Sequence, residues 1–268
     1  MKKYLKMLGF LLVYYGLPVG ISFGIMVSPL LSRFPRTLMG LCPSGYYGVL
    51  DPIIILALFL FFRFCRKKSL TQFSSFTKTS PSTLILGGLI GLFMALVPYS
   101  VVNMDYFKTH FESLTGTLKY FIIGGNIYLL IYTVIVNSFS KEIQFRGLMF
   151  NEMRAVLPVS VAIIAQALLY GSQVKTGCDW SVTIYAMIGQ IIFGLVFYFG
   201  KSIWPSILTQ ICCTLGMVLF DRTILTKLFT PQSSIYIFFS GVILVVILLI
   251  VMYQRGKQPG TTAAKLEG

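Results

Sequence analysis

Long apolar runs recur along almost the whole chain, and they constrain its fold more than any other feature. Eight runs stand out, separated by short polar segments: Met7 to Leu31, Val49 to Phe62, Thr83 to Met104, Tyr120 to Val136, Val156 to Gly171, Val182 to Phe199, Ile203 to Phe220 and Ile235 to Met252. A helix needs about 20 mainly apolar residues to cross a bilayer. Because lipid offers no partners to backbone groups, each run is predicted to be a transmembrane helix.

Composition excludes two broad classes of protein. Hydrophobic residues make up 56% of the chain and charged residues only 11%, whereas soluble domains carry about 25% charged residues. The net charge of +14 could suggest nucleic acid, but the basic residues flank apolar runs and form no basic face interleaved with aromatics. We predict an all-α, polytopic transmembrane bundle of about eight helices, with one domain over residues 1–256.

The charges between the runs predict the orientation in the membrane. The first run is long enough to span, and no signal-cleavage site ends it, so it is interpreted as a retained helix. With the N-terminus inside, 15 of the 22 lysines and arginines fall in inner segments and 7 in outer ones. This asymmetry predicts that both termini are cytoplasmic. Residues 257–268 are predicted to be a cytoplasmic tail of vector-encoded residues.

Cysteine and histidine usage gives little indication of a metal site. Cys42 and Cys178 both fall in predicted outer loops, where they form either a disulfide or two free thiols. Cys212 and Cys213 lie in an apolar run with no neighbouring third ligand, so they are predicted to serve packing. His110 is the single histidine and is expected to be a solvated loop residue. No metal and no cofactor is predicted.

Charged residues at membrane depth are candidates for function by default. Glu142 and Arg146 follow the fourth apolar run at a spacing of i, i+4, so they share a helix face and can pair. Spacing alone favours a helix end that enters the cytoplasmic interface and neutralises its own charge. The amides in the runs are interpreted as inter-helix hydrogen-bonding groups; they are Asn126, Gln166, Gln190 and Gln210.

Three segments resemble the motifs of a known family. The sequence from Lys141 to Gly147 resembles the Glu-Glu-x-x-Phe-Arg-Gly motif of the CAAX-protease and bacteriocin-processing family, also called abortive-infection proteins. The run from Gly194 to Gln210 is similar to its third motif and keeps Trp204-Pro205. Tyr170 lies where the family has the aromatic residue of Phe-x-x-x-His.

The resemblance implies a site without the family's catalytic side chains. Family members are intramembrane endopeptidases whose cavity opens to the cytoplasm, and the first Glu of their motif activates water, aided by two His and one Asn. In this sequence the Glu position is Lys141, and the first His position is Val174, or Gln173 if the register slips by one. The second His position is Gln210, and the Asn position is Thr214. The resemblance therefore implies the family's fold, while Glu142, Arg146 and the Trp204-Pro205 pair remain.

These observations lead to a leading hypothesis and two alternatives. The resemblance implies a non-catalytic scaffold or regulator in the plasma membrane of a Gram-positive bacterium. Its partner would be a membrane protein, either a cell-envelope enzyme such as a peptidoglycan hydrolase or a sensor kinase. The first alternative is an endopeptidase in peptide maturation or bacteriocin immunity. The second is a lipid or small-molecule carrier, which the absence of a visible repeat disfavours.

Overall fold

The computed structural model describes residues 1–28, 37, 45–122, 126–174 and 179–257. Every regular element in these ranges is helical, as predicted. Cys42 and Cys178, for which the sequence leaves both a disulfide and two free thiols open, lie outside the described residues. So does the predicted tail except for Lys257, which is the last residue of the final helix.

Within the described ranges, six helices are long and apolar enough to cross a membrane. They coincide with six of the eight predicted runs: α1 (Lys2–Val27), α2 (Gly45–Phe61, extended by π-helical turns over Phe62–Arg66), α4 (Pro81–Asn103), α10 (Trp180–Gly200), α11 (Ile203–Arg222) and α12 (Pro231–Lys257). Short helices lie between them: α3 (Leu70–Phe73), α5 (Asp105–His110), α6 (Glu112–Ile122) and a 3-10 turn (Ile224–Leu228).

The fourth and fifth predicted spans are shorter helices of 16 residues each, α7 (Ile127–Glu142) and α9 (Val159–Val174). The chain does not leave the bundle after Glu142. It continues through π-helical turns over Ile143–Phe150 and a last turn, α8 (Asn151–Arg154). The expectation of a helix end at the interface is therefore wrong, because every residue of Ile143–Phe150 is buried and apolar packing keeps this polar stretch inside.

The centre of the bundle is a close contact between α4 and α11. A Cβ atom added at Gly87 would lie 2.7 Å from the carbonyl oxygen of Pro205, and one at Gly91 would clash with the carbonyl oxygen of Thr209. Thr209 Oγ1 donates a hydrogen bond of 2.8 Å to Gly87 O. Small residues thus let two backbones touch. On α1, by contrast, nothing lies within 4 Å of a Cβ added at Gly20.

One end of the bundle gathers four chain segments that are far apart in sequence. Ile203 N donates to Ser75 O at 3.0 Å, and Lys201 Nζ donates to Gly256 O at 2.8 Å. At the same end Arg66 Nη1 lies 2.9 Å from Glu152 Oε2. All of these segments belong to the set that the charge pattern predicts to be cytoplasmic.

Candidate functional site

A buried ion pair forms the centre of the candidate site. Glu142 Oε1 and Arg146 Nη1 are 3.0 Å apart, and both side chains have 0% exposed area. Arg146 Nη2 also donates to Gln190 O on α10 at 3.2 Å, and its guanidinium lies 5.2 Å from the Phe193 ring centre. The predicted i, i+4 pair is therefore confirmed, and it joins α7 and the π-helical turns to α10.

The polar groups around this pair are only partly satisfied. Neither carboxylate oxygen of Glu142 accepts a well-directed hydrogen bond from the described residues, and Arg146 Nε has no hydrogen-bond partner among them. The 3.0 Å contact is thus mainly ionic. The amide oxygens of Gln166, Gln190 and Gln210 are likewise buried and unpaired within the described structure. Most buried polar atoms in proteins are hydrogen-bonded. A group of unpaired polar atoms around one ion pair is therefore unusual.

Lys141 points to a different set of partners from its neighbour Glu142. Its Nζ donates a 3.0 Å hydrogen bond to the hydroxyl of Tyr170 on α9. The ammonium also lies 5.9 Å from the ring centre of Tyr47 on α2. Tyr170 in turn packs edge-on against Phe145, with ring centres 5.0 Å apart. The ammonium is therefore held between aromatic side chains from two helices.

Sequence reasoning missed a buried carboxylate near Lys141. Asp51 on α2 is 4% exposed and accepts a 2.7 Å hydrogen bond from Asn137 Nδ2. Asp51 and Lys141 also interact electrostatically. The signal was present in the sequence, because Asp51 lies inside the second apolar run and an ionisable residue there is a candidate by default.

The predicted role of the amides holds at one position and fails at another. Gln166 Nε2 on α9 donates to Gln190 O on α10 at 2.9 Å, which is the expected inter-helix bond. The expectation for Asn126 is wrong, because its side chain caps α7 by accepting from Tyr128 N at 3.0 Å and Leu129 N at 3.1 Å. An asparagine just before a helix accepts hydrogen bonds from backbone N–H groups that have no partner within the helix. Asn126 therefore caps its own helix and does not link two helices.

Cysteine and histidine residues lie away from the ion pair. Cys213 is buried in an apolar cluster with Ile90 and Val196, as the packing interpretation predicts. His110 is exposed on α5, where its ring stacks on Tyr106 with centres 4.4 Å apart. Within the described ranges no group of three or more His, Cys, Asp or Glu side chains is arranged to hold a metal ion.

One protein family matches the part of the chain that contains this site. Residues 123–216 match the family described as type II CAAX prenyl endopeptidase Rce1-like. This match, over about a third of the chain, supports membership of the CAAX-protease family. The matched region begins just before α7, ends within α11, and contains the ion pair and all three motif segments. No curated protein and no solved structure matches the chain.

The structure brings together only some of the positions that the sequence assigns to the CAAX-protease motifs. Lys141 and Tyr170 are in contact, and Glu142 lies beside Lys141 in the chain. Val174 packs against a separate apolar cluster that includes Tyr99 and Val182.

The two remaining motif positions lie one helical turn apart on α11. Thr214 Oγ1 donates to Gln210 O at 3.2 Å, so this hydroxyl is used within its own helix. By the expected motif alignment, the four catalytic positions hold the side chains of Lys141, Val174 or Gln173, Gln210 and Thr214.

Proposed function

We propose that this CAAX-protease-family protein is a non-catalytic membrane scaffold or regulator that binds a partner membrane protein. The observation that carries the proposal is the buried contact between Glu142 and Arg146. Peptide hydrolysis needs a base that is free to take a proton from water and donors for the developing oxyanion. A carboxylate held beside a guanidinium with no exposed area is a structural group rather than an available base.

The neighbouring motif position supports the same proposal. Lys141 occupies the place of the water-activating Glu, and its ammonium donates to Tyr170 and lies near Asp51. A protonated amine has no lone pair with which to accept a proton.

No histidine lies near Lys141 or Glu142 to act as a proton carrier. The chain has one histidine, and His110 is exposed on α5, outside the region that matches the family. Imidazole is the usual proton carrier near neutral pH. The region that matches the family therefore has side chains that suit packing and charge pairing, and it has no imidazole.

The endopeptidase hypothesis keeps one specific observation in its favour. Apart from the contact of Oε1 with Arg146 Nη1 and an interaction with Ser206, the Glu142 carboxylate accepts no well-directed hydrogen bond among the described residues. An active enzyme would then use Glu142 as its base, with Arg146 as a charged neighbour. The family match supports this alternative as well as the scaffold.

Affinity capture of the full chain from its native membranes separates the two functions. The scaffold proposal predicts one stoichiometric membrane protein, such as a cell-envelope enzyme or a sensor kinase, whose activity changes when the chain is added back to purified partner. It also predicts that Thr214→Ala leaves capture unchanged. Recovery of peptide fragments with a common cleavage site, in place of an intact partner, would support the endopeptidase.

A further inference from the structure

Two adjoining cavities lie at the end of the bundle that carries the contact between Arg66 and Glu152. The larger has a volume of about 910 Å³ and the smaller about 510 Å³, and they share Ser75, Arg154 and Tyr198 as a common wall. Ligand sites in proteins usually measure roughly 300–1,000 Å³. The volumes therefore suit a small polar molecule or the headgroup of a lipid.

Cations from four separate parts of the chain line these cavities. Lys67 and Lys68 follow α2, Arg154 ends α8, Lys201 follows α10 and Lys257 ends α12. No carboxylate is among the lining residues that the structure describes. The ion pairs within the described ranges involve other cations: Arg66, Lys108 and Arg146. The cavities thus concentrate positive charge that the surrounding protein leaves without a counter-charge.

Helix ends converge on the cavities. Lys67, Ser75 and Lys201 have φ values of 50°, 59° and 53°, and they are the non-glycine residues with positive φ in the described structure. Each lies at or just after the end of a helix, where a left-handed residue commonly caps the last turn. All three line the cavities, so the cavities lie where helices end.

Hydrogen bonds connect the chain segments that surround the cavities. Asn151 Nδ2 donates to Phe73 O at 2.8 Å and to Gly147 O at 2.9 Å, and Ile203 N donates to Ser75 O at 3.0 Å. Lys201 Nζ is itself tied to Gly256 O. These bonds connect the chain segments that carry the cations, whose side chains are exposed.

We propose that these cavities bind the phosphate headgroup of an anionic phospholipid. Basic pockets between membrane helices suit such headgroups. Tyr198 and Tyr253, each 40% exposed, lie at the cavities and provide the aromatic contacts that are typical of the membrane interface. A soluble organophosphate shares the phosphate chemistry but has no acyl chain to place against the bundle. This site is separate from the ion pair, so the proposal does not depend on the proposed function.

The orientation rule for membrane proteins explains why cations lie at this end of the bundle, but it does not explain their arrangement. That rule concerns the number of lysines and arginines in inner segments. It does not require them to converge on adjoining cavities without carboxylates. A test must therefore compare cations at the cavity with cations elsewhere at the same end.

The test uses the purified full chain in a neutral detergent, titrated with phosphatidylglycerol, phosphatidylcholine, glycerol phosphate or inorganic phosphate. Binding is followed by native mass spectrometry and by the shift in melting temperature. We expect phosphatidylglycerol to bind and to raise the melting temperature, and the other three to do neither. Lys68→Gln with Arg154→Gln should weaken lipid binding roughly 25-fold, or about fivefold for each cation removed.

The matched control is Lys2→Gln with Lys3→Gln, which removes the same charge from exposed positions at the N-terminus. It should leave lipid binding essentially unchanged. Equal losses in the two double variants would overturn the proposal, because the attraction would then come from net charge. Equal binding of glycerol phosphate and phosphatidylglycerol would overturn the lipid assignment. Lys68→Gln alone, at an exposed side chain, tests the site if the double variant does not fold.

Discussion

The Arg146 guanidinium lies 3.0 Å from the Glu142 carboxylate, one helical turn along the chain, and neither side chain has any exposed area. Removing one member leaves the other as an unpaired charge in the bundle, which costs roughly 3–5 kcal/mol for a buried pair. We predict that Glu142→Gln lowers the free energy of unfolding by about that amount. Thermal unfolding of the purified chain in detergent measures the change.

The control for this prediction is Glu112→Gln, the same substitution at an exposed position on α6. It should leave the melting temperature almost unchanged. The double variant Glu142→Leu with Arg146→Met should be far less destabilised than the sum of the single changes, since apolar residues replace a buried pair at little cost. Full additivity would show that the two charges do not interact.

Packing between α4 and α11 gives a second prediction. Gly91→Ala adds a Cβ that clashes with the carbonyl oxygen of Thr209, and overpacking of this kind costs about 1–3 kcal/mol. Gly20→Ala on α1 is the matched control, because its added Cβ has nothing within 4 Å. We expect a lower melting temperature for Gly91→Ala only. Similar melting temperatures for both variants would contradict the close backbone contact.

Membrane orientation gives a third prediction. The asymmetry of lysine and arginine predicts that the N-terminus is cytoplasmic and that α6 lies on the outer side. In a cysteine-free background, Lys2→Cys should react with a membrane-impermeant maleimide only in inverted vesicles, whereas Glu112→Cys should react in intact cells. Labelling of Lys2→Cys in intact cells would reverse the orientation.

Much of the fold could be predicted because its strongest signal is the length of the apolar runs. That length can be read from the sequence without knowing how the helices pack. Six runs became long helices at nearly their predicted bounds. The path after Glu142 could not be predicted, because a polar stretch at the end of an apolar run usually indicates an interface. Its burial depends on apolar contacts of Phe145 and Leu148 with residues distant in the sequence.

The candidate site was predictable where partners are close in sequence and unpredictable where they are not. Glu142 and Arg146 are one turn apart, so a helical period predicts their contact. Lys141 contacts Tyr170, and Asn137 contacts Asp51, but the members of each pair are far apart in the sequence. The helical period therefore cannot predict these contacts. The cavity cations come from four segments, which only the packed bundle brings together.

The proposed function predicts that the chain does not cleave peptides. Its direct test is a cleavage assay of the purified, unmodified chain on a library of membrane-anchored peptides, analysed by mass spectrometry. Glu142→Gln, confirmed to be folded, serves as the comparison.

We predict no cleavage by the unmodified chain above the background of empty vesicles. Cleavage that is present in the unmodified chain and disappears in folded Glu142→Gln would contradict the claim, and would make Glu142 the base of an endopeptidase.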